Sequence, residues 1–278
     1  MSSRSHAMRP ATERDLPAVW SAVRMAGTFT SREDVERFWS DAPWRVQVSE
    51  AGDAAILARW REHLPILSVK GLWCGLQQIP PVMRQLRDVA AAQGFEDLLS
   101  PLTPDDRIEP YVDAGMRVVH TGLGMRADRA RDTGVQGVPG VSLRRAIPVD
   151  LDALLRLDEE CFSDFWRYDA TLMAGYLSSE RGVVATVDDA VIGYTLSTID
   201  RGEGMFGRLA VAHAFRRHGV GQALVADVLG FMHRSGARSV SLYTQRENHV
   251  SRALYERCGF HVVGMPQHFL AFGGIVTR

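Results

Sequence analysis

The chain has 278 residues, 46% of them apolar, and 32 basic against 33 acidic side chains, the balance of a globular protein of one large or two ordinary domains. Charge is even in both halves with no long basic stripe, which gives nucleic-acid binding little electrostatic support. No apolar run approaches a membrane span, residues 1–12 lack the apolar core of a signal peptide, and Cys74, Cys161 and Cys258 have no metal or redox spacing. The expectation is a cytoplasmic protein, a monomer or homodimer, with no metal, no membrane and no nucleic-acid partner.

In chain order, residues 8–19 read as a short strand, a turn and a helix that Asp15 caps. Strands follow at 46–48, 54–60 and 65–74, then a helix at 82–93. A second helix carries Tyr111, ends at Gly115 and enters another strand. Residues 126–140 turn charged and then rich in Gly and Pro, with no apolar period, as a linker does.

The opening pattern then returns. Arg144, Ala146, Asp150 and Leu151 repeat Arg9, Ala11, Asp15 and Leu16 in register, and Tyr255 with Gly259 answers Tyr111 with Gly115. Two matched ends in the same order indicate a duplicated domain, divided as 1–126, a linker at 127–140, and 141–278. The second copy reads as strand 141–146, helix 151–161, aromatic loop 162–168, and a helix through Tyr176. Strands 183–187 and 191–198 are joined at Asp188 and Asp189, a hairpin turn. Strand 205–211, helix 222–232, strand 239–244, helix 248–258 and closing strands 260–264 and 269–272 complete it.

Between strand 205–211 and its helix lie Arg216, Arg217, His218, Gly219, Val220, Gly221 and Gln222. Glycines let a turn bring its N–H groups close to a ligand, and the helix start adds free N–H groups and dipole, so this order suits a diphosphate. Neither the dinucleotide fingerprint nor a Walker loop fits, since Leu224 replaces the third glycine and no Gly-Lys-Ser/Thr occurs. At the corresponding place the first copy has Gly75, Leu76, Gln77, Gln78, Ile79, Pro80 and Pro81. Two prolines lack N–H groups, so no amide cradle is expected there.

Leu209, Ala210 and Val211, then Arg216, Gly219 and Gly221, then Asn248, Tyr255, Gly259 and Phe260, resemble the acyl-CoA-binding motifs of the GNAT superfamily of N-acetyltransferases. The resemblance covers residues 141–274 well and residues 8–126 only at their ends. It implies an α/β fold of two tandem GNAT-like domains, each a mixed, mostly antiparallel sheet flanked by helices and splayed where two parallel strands part. It also implies acetyl-CoA (coenzyme A) as co-substrate, with the amides of residues 217–222 on its pyrophosphate. Leu209, Ala210 and Val211 would pair with the pantetheine arm while serving as ordinary core strand. Tyr255 would protonate the leaving thiolate, or only fix its helix as Tyr111 does. Asn248 would contact the arm or cap its own helix.

For a general base, the position that carries glutamate in many relatives is Met205. Glu203 shares its face and is the candidate, against a plain loop acid between two glycines. His213 reads as a rim residue, and Cys258 gives a covalent intermediate little support. Asp164 and Trp166, with Phe165 and Tyr168, belong to the loop that borders the acceptor pocket in relatives and suits a cationic amine, or caps the core. The resulting expectation is acetyl transfer from acetyl-CoA to a small-molecule amine. The alternatives are a protein or peptide amine acetyltransferase and a non-catalytic acyl-CoA sensor. One CoA per chain is expected, with the first copy walling the acceptor pocket through Trp39, Trp44, Trp60 and Trp73.

Overall fold

The structure is a computed structural model and describes residues 5–24, 29–128, 137–179 and 181–273. It divides into two compact units, one holding Met1–His120 and Gln267–Val276, the other Thr121–Pro266. The division at His120 falls inside a strand, and a late segment returns to unit 1. Residues 129–136, most of the expected linker, lie outside the described residues.

In the first half the elements are β1 (Arg9–Pro10), α1 (Leu16–Val23), α2 (Arg32–Asp41), β2 (Val46–Val48), β3 (Ala54–Arg59), β4 (Ile66–Trp73), α3 (Ile79–Ala92), β5 (Asp97–Leu99), β6 (Thr103–Pro104), α4 (Glu109–Asp113) and β7 (Arg117–Ala127). The second half has β8 (Ser142–Arg145), α5 (Leu151–Cys161), α6 (Ala170–Ser179), β9 (Arg181–Val187), β10 (Ala190–Asp200), β11 (Glu203–Val211), α7 (Val220–Arg234), β12 (Ser239–Gln245), α8 (His249–Arg257) and β13 (His261–Ala271). Among the described residues no helix is long and apolar enough to cross a membrane.

Unit 1 arranges β1, β2, β3, β4 and β5 in that order, antiparallel except for β4 with β5. Ala271 of β13 then pairs with Leu99, and His268 with Thr103. Apolar side chains cover both faces. Val82, Met83 and Leu86 of α3 close over Leu57, Leu67 and Val69, while Leu16, Val19 and Val23 of α1 close over Val46, Val48 and Ile56. Pro80 and Pro81 sit in the first turn of α3, where a missing N–H costs the helix nothing. Trp39, Trp44 and Trp73 are each partly buried. They pack into these two cores, and Trp39 Nε1 donates to the Ala11 carbonyl at 2.8 Å.

Unit 2 orders its strands β7, β12, β11, β10, β9 and β8, antiparallel except for β11 with β12. Leu154 and Leu157 of α5 and Met173 of α6 cover one face; Leu224, Val225, Val228 and Leu229 of α7 cover the other. Burial of each such side chain stabilises the fold by about 1.5–3 kcal/mol. Asp188 and Asp189 adopt left-handed φ of 46° and 64°, as the two-residue hairpin requires. The two expected closing strands are one, since Met265, Pro266, Gln267 and His268 stay extended within β13.

Candidate active site

The central strand of unit 2 contains one irregularity. Leu196 of β10 faces Arg208 and Ser197 faces Phe206, so Gly207 is an extra residue on β11. An extra residue reverses the alternation of side chains. Phe206 lies with the α7 cluster before it, and Ala210 with the α5 cluster after it. β11 runs parallel to β12 only as far as Phe206 opposite Leu242. β12 continues beside β7 to Gln245. The strands part at Phe206, and beyond it the edge of residues 207–211 turned away from β10 has no strand beside it among the described residues. Such an edge accepts an extended ligand as an added strand.

The turn after β11 is built for close approach. Arg217 and Gly219 take left-handed φ of 65° and 85°, and Gly219 directly precedes α7. That conformation costs a non-glycine residue about 1–2 kcal/mol, and strain of this kind collects at ligand sites. Arg217, His218, Gly219 and Gln222 are exposed around the start of α7, whose first N–H groups have no partner within the helix, while Val220 is buried beneath them. A Cβ on Gly221 would lie 3.3 Å from Leu254 Cδ2, so this glycine also lets α7 close on α8. Arg216 is exposed in the same turn. Its Nε donates to the Val211 carbonyl at 3.0 Å and its Nη2 to Cys161 Sγ at 3.5 Å, tying the turn back to the end of β11.

Tyr255 of α8 stands at the parting of the strands. Its ring meets Phe206 edge-on at 5.8 Å between centroids and Phe260 at 5.9 Å. Burial pushes its pKa above the ordinary value, so the phenol keeps its proton and remains a hydrogen-bond donor at physiological pH. Asn248 caps α8, its side-chain oxygen accepting from Ser251 N at 3.1 Å. The His213 N–H donates to Glu160 Oε1 at 2.5 Å at the rim. Cys258, at the end of α8, has its pKa raised by burial, which disfavours a thiolate.

Glu203 lies at the opposite end of β11, paired with Asp200 and beside Ser239. Leu209 is six positions further on, about 20 Å along a strand. The Ser239 hydroxyl donates to its carboxylate, and Arg126 and Arg238 lie 3.7 and 3.4 Å away. The hydrogen bond first, then the arginines, hold its pKa below the ordinary value, which weakens it as a base. Near it, Arg126, Thr198, Met205 and Ser241 line a depression of about 400 Å³.

Asp164 and Trp166 occupy the loop between α5 and α6. The Asp164 carboxylate pairs with Arg167 Nε at 3.1 Å, and the Trp166 carbonyl accepts from Arg208 Nη2 at 3.0 Å. Arg208 is the site residue that sequence reasoning passes over. Its Nε and Nη2 donate to Asp158 at 2.7–2.9 Å, its guanidinium lies between the rings of Phe162 and Tyr168 at 3.5 and 3.9 Å, and Asp158 is wholly buried. Asp158 also accepts from the Tyr194 hydroxyl and from Tyr168 N. One buried ion pair therefore fixes the loop to the strand that opens. The available signal was Asp158 itself, four residues after Leu154 on the apolar stripe of α5.

Residues 151–260 match the acetyltransferase (GNAT) family, a span running from the first residue of α5 through the parting strands, the turn and α8. This span is a GNAT acetyltransferase domain. Across 121 residues the chain is 29% identical to an uncharacterized N-acetyltransferase of Methanocaldococcus jannaschii, covering 42% of this chain and 76% of that protein. A GCN5-related N-acetyltransferase from Sphaerobacter thermophilus superimposes with a TM-score of 0.68 at 20% identity, over 95% of this chain and 94% of that one. A tandem GNAT protein from the clavulanic acid biosynthesis pathway gives 0.69 at 18% identity, over 95% and 97%. At these identities the likeness is one of fold. It reaches both halves of the chain, whereas the family match keeps to the GNAT domain of the second half.

Proposed function

We propose that the GNAT domain transfers the acetyl group of acetyl-CoA directly to an amine of a small molecule. The observation that carries this reading is the unpaired edge of residues 207–211 leading into the left-handed turn at Arg217 and Gly219. An extended arm fits the edge and a diphosphate fits the turn. The amides of residues 217–222 hold the diphosphate with the exposed Arg217 beside them, and Leu209, Ala210 and Val211 bind the arm through their backbone.

The thioester supplies an activated acyl carbon, at which the C–N bond to the neutral amine forms as the C–S bond breaks; the electron pair leaves on sulfur, and the proton lost by nitrogen passes to the thiolate or to water. Tyr255 donates a hydrogen bond to the departing sulfur. Full proton transfer from an ordinary phenol to a thiolate is uphill by roughly 2 kcal/mol, and the buried site of Tyr255 enlarges that gap, so the hydrogen bond is the useful interaction. An amine of ordinary pKa is neutral to about one part in 2,500 at pH 7. With Glu203 held as an ion, an acceptor of lower pKa suits this site best. The loop of Asp164 and Trp166, which Arg208 ties to β11, borders its approach.

The test is CoA release across a panel of small amines, peptide amino termini and protein lysines, with hydrolysis subtracted. Release with small amines is expected. Release no faster than hydrolysis with every amine, despite tight CoA binding, would make the protein a sensor.

A further inference from the structure

A carbonyl on the edge that an acyl-CoA arm would use is already held by side chains. Ala212 N donates to the Ile192 carbonyl at 2.9 Å, so Ala212 turns its backbone groups toward β10. Neighbouring residues of a strand turn theirs to opposite sides, and Val211 therefore points its N–H and its carbonyl to the edge away from β10. That carbonyl is taken. Arg216 Nε donates to it at 3.0 Å and Cys161 Sγ at 3.4 Å, while Arg216 Nη2 reaches Cys161 Sγ at 3.5 Å. Cys161 is the last residue of α5 and half-buried, whereas Arg216 is exposed. A carbonyl oxygen has two lone pairs, and these donors occupy both. An arm that joins a thioester near the parting of the strands to a diphosphate at the start of α7 must pass Val211. It meets Arg216 there.

We propose that Arg216 sets the carrier specificity of this site: it admits a thiol carrier that ends in a diphosphate and disfavours one that offers the arm alone. The inference rests on the acetyl-CoA reading of this edge and turn. To pair with the Val211 carbonyl, an amide N–H of the arm displaces Arg216. The guanidinium then needs another acceptor, and what the carrier brings decides the sign. A diphosphate on the amides of residues 217–222 lies beside the turn that carries Arg216, and a bond between opposite charges is stronger than one from the guanidinium to a neutral carbonyl. The exchange is then favourable. With a bare pantetheine arm Arg216 gains only water, so the bond lost at Val211 counts against binding. Cys161 is a weak thiol donor and holds the same oxygen without a charge.

The experiment titrates the full chain in a calorimeter with CoA and with pantetheine, which keeps the arm and its thiol and lacks the diphosphate and nucleotide. Arg216→Ala is expected to weaken CoA by at least about tenfold and to tighten pantetheine by at least about threefold, shifts of opposite sign. Arg216→Met, which keeps the stem without the donors, should do the same, and melting temperatures matching the wild type show that both variants fold. Pantetheine bound no more tightly by the variants than by the wild type, with none detected counted as no tighter, overturns the proposal, as does a parallel loss of both ligands. Where the wild type binds CoA, that outcome leaves the acetyl-CoA reading standing; a wild type that binds no CoA overturns both.

Discussion

The two units share what folding requires and differ at the turn after the bulged strand and at the loop between α5 and α6. Arg9 meets Asp15 at 2.8 and 3.0 Å, and Arg144 meets Asp150 at 2.8 Å twice; each arginine also donates to the carbonyl of the next residue at 3.2 Å. Tyr111 and Tyr255 are each followed by a left-handed glycine, Gly115 at 98° and Gly259 at 92°. The turns diverge. Unit 1 passes from Gly75, at φ −65°, through a tight turn into the prolines of α3, with two amide donors missing. In unit 1 Ile56 faces Gly71 and Leu57 faces Val69, so β4 bulges at Lys70 as β11 does at Gly207. Matching the helices by their clasps and the strands by these bulges sets Asp158, Arg208 and Tyr194 against Val23, Gly71 and Ala54. The ring of Trp73 covers Gly71. Replacing a buried ion pair by apolar groups is often neutral or stabilising, so stability alone does not account for the pair in unit 2. Its grip on the loop from Phe162 to Tyr168 does.

The largest effect should come from breaking that pair. Asp158→Ala strands Arg208 in the interior and should cost about 3–5 kcal/mol in denaturant unfolding; a change under about 1 kcal/mol would mean that Arg208 finds water. Gly221→Asp sharpens the contrast between the turns. It should raise the CoA dissociation constant at least about a hundredfold, whereas Gly75→Asp in unit 1 should leave it alone, and calorimetry should count one CoA per chain. Two per chain would erase the distinction. Tyr255→Phe should lower turnover by about a hundredfold with CoA binding intact, and Tyr111→Phe should leave turnover unchanged. Because the Tyr255 pKa is raised, it should produce no falling limb below about pH 10 in the wild-type rate profile.

Glu203→Gln should have the smallest effect, less than about threefold on turnover and none on the shape of its pH profile. The depressed pKa of Glu203 gives its pairs a stabilising contribution at neutral pH. That contribution is lost as pH falls below the ordinary carboxylate value, so the variant should show a weaker acid dependence of unfolding.

The turn, the duplicated ends and most elements were legible because each rests on local chemistry: a glycine where φ must be positive, an aspartate three residues before a helix is under way, apolar residues at strand or helix spacing. Gly207 was legible only as a glycine. That it reverses the faces of β11, and so turns Arg208 inward, depends on its pairing with β10. Asp158 looks like any helix acid until its partner fifty residues later is known. Arg216 carried the right charge for a phosphate, but nothing local shows that the Val211 carbonyl claims it. The pairing of β13 with Leu99 and Thr103 joins segments far apart in the chain, and residues 265–268 read as a break because Gly264 and Pro266 usually interrupt strands.

That pairing sets a timetable for biosynthesis. Domains ordinarily fold from the amino terminus as they leave the ribosome. Here Leu99 and Thr103 must wait for His268 and Ala271, which are made after the whole of residues 151–260. The copy that is translated first is therefore finished last, and a nascent chain halted after Phe260 would carry the complete transferase span while leaving its older half with an open sheet edge.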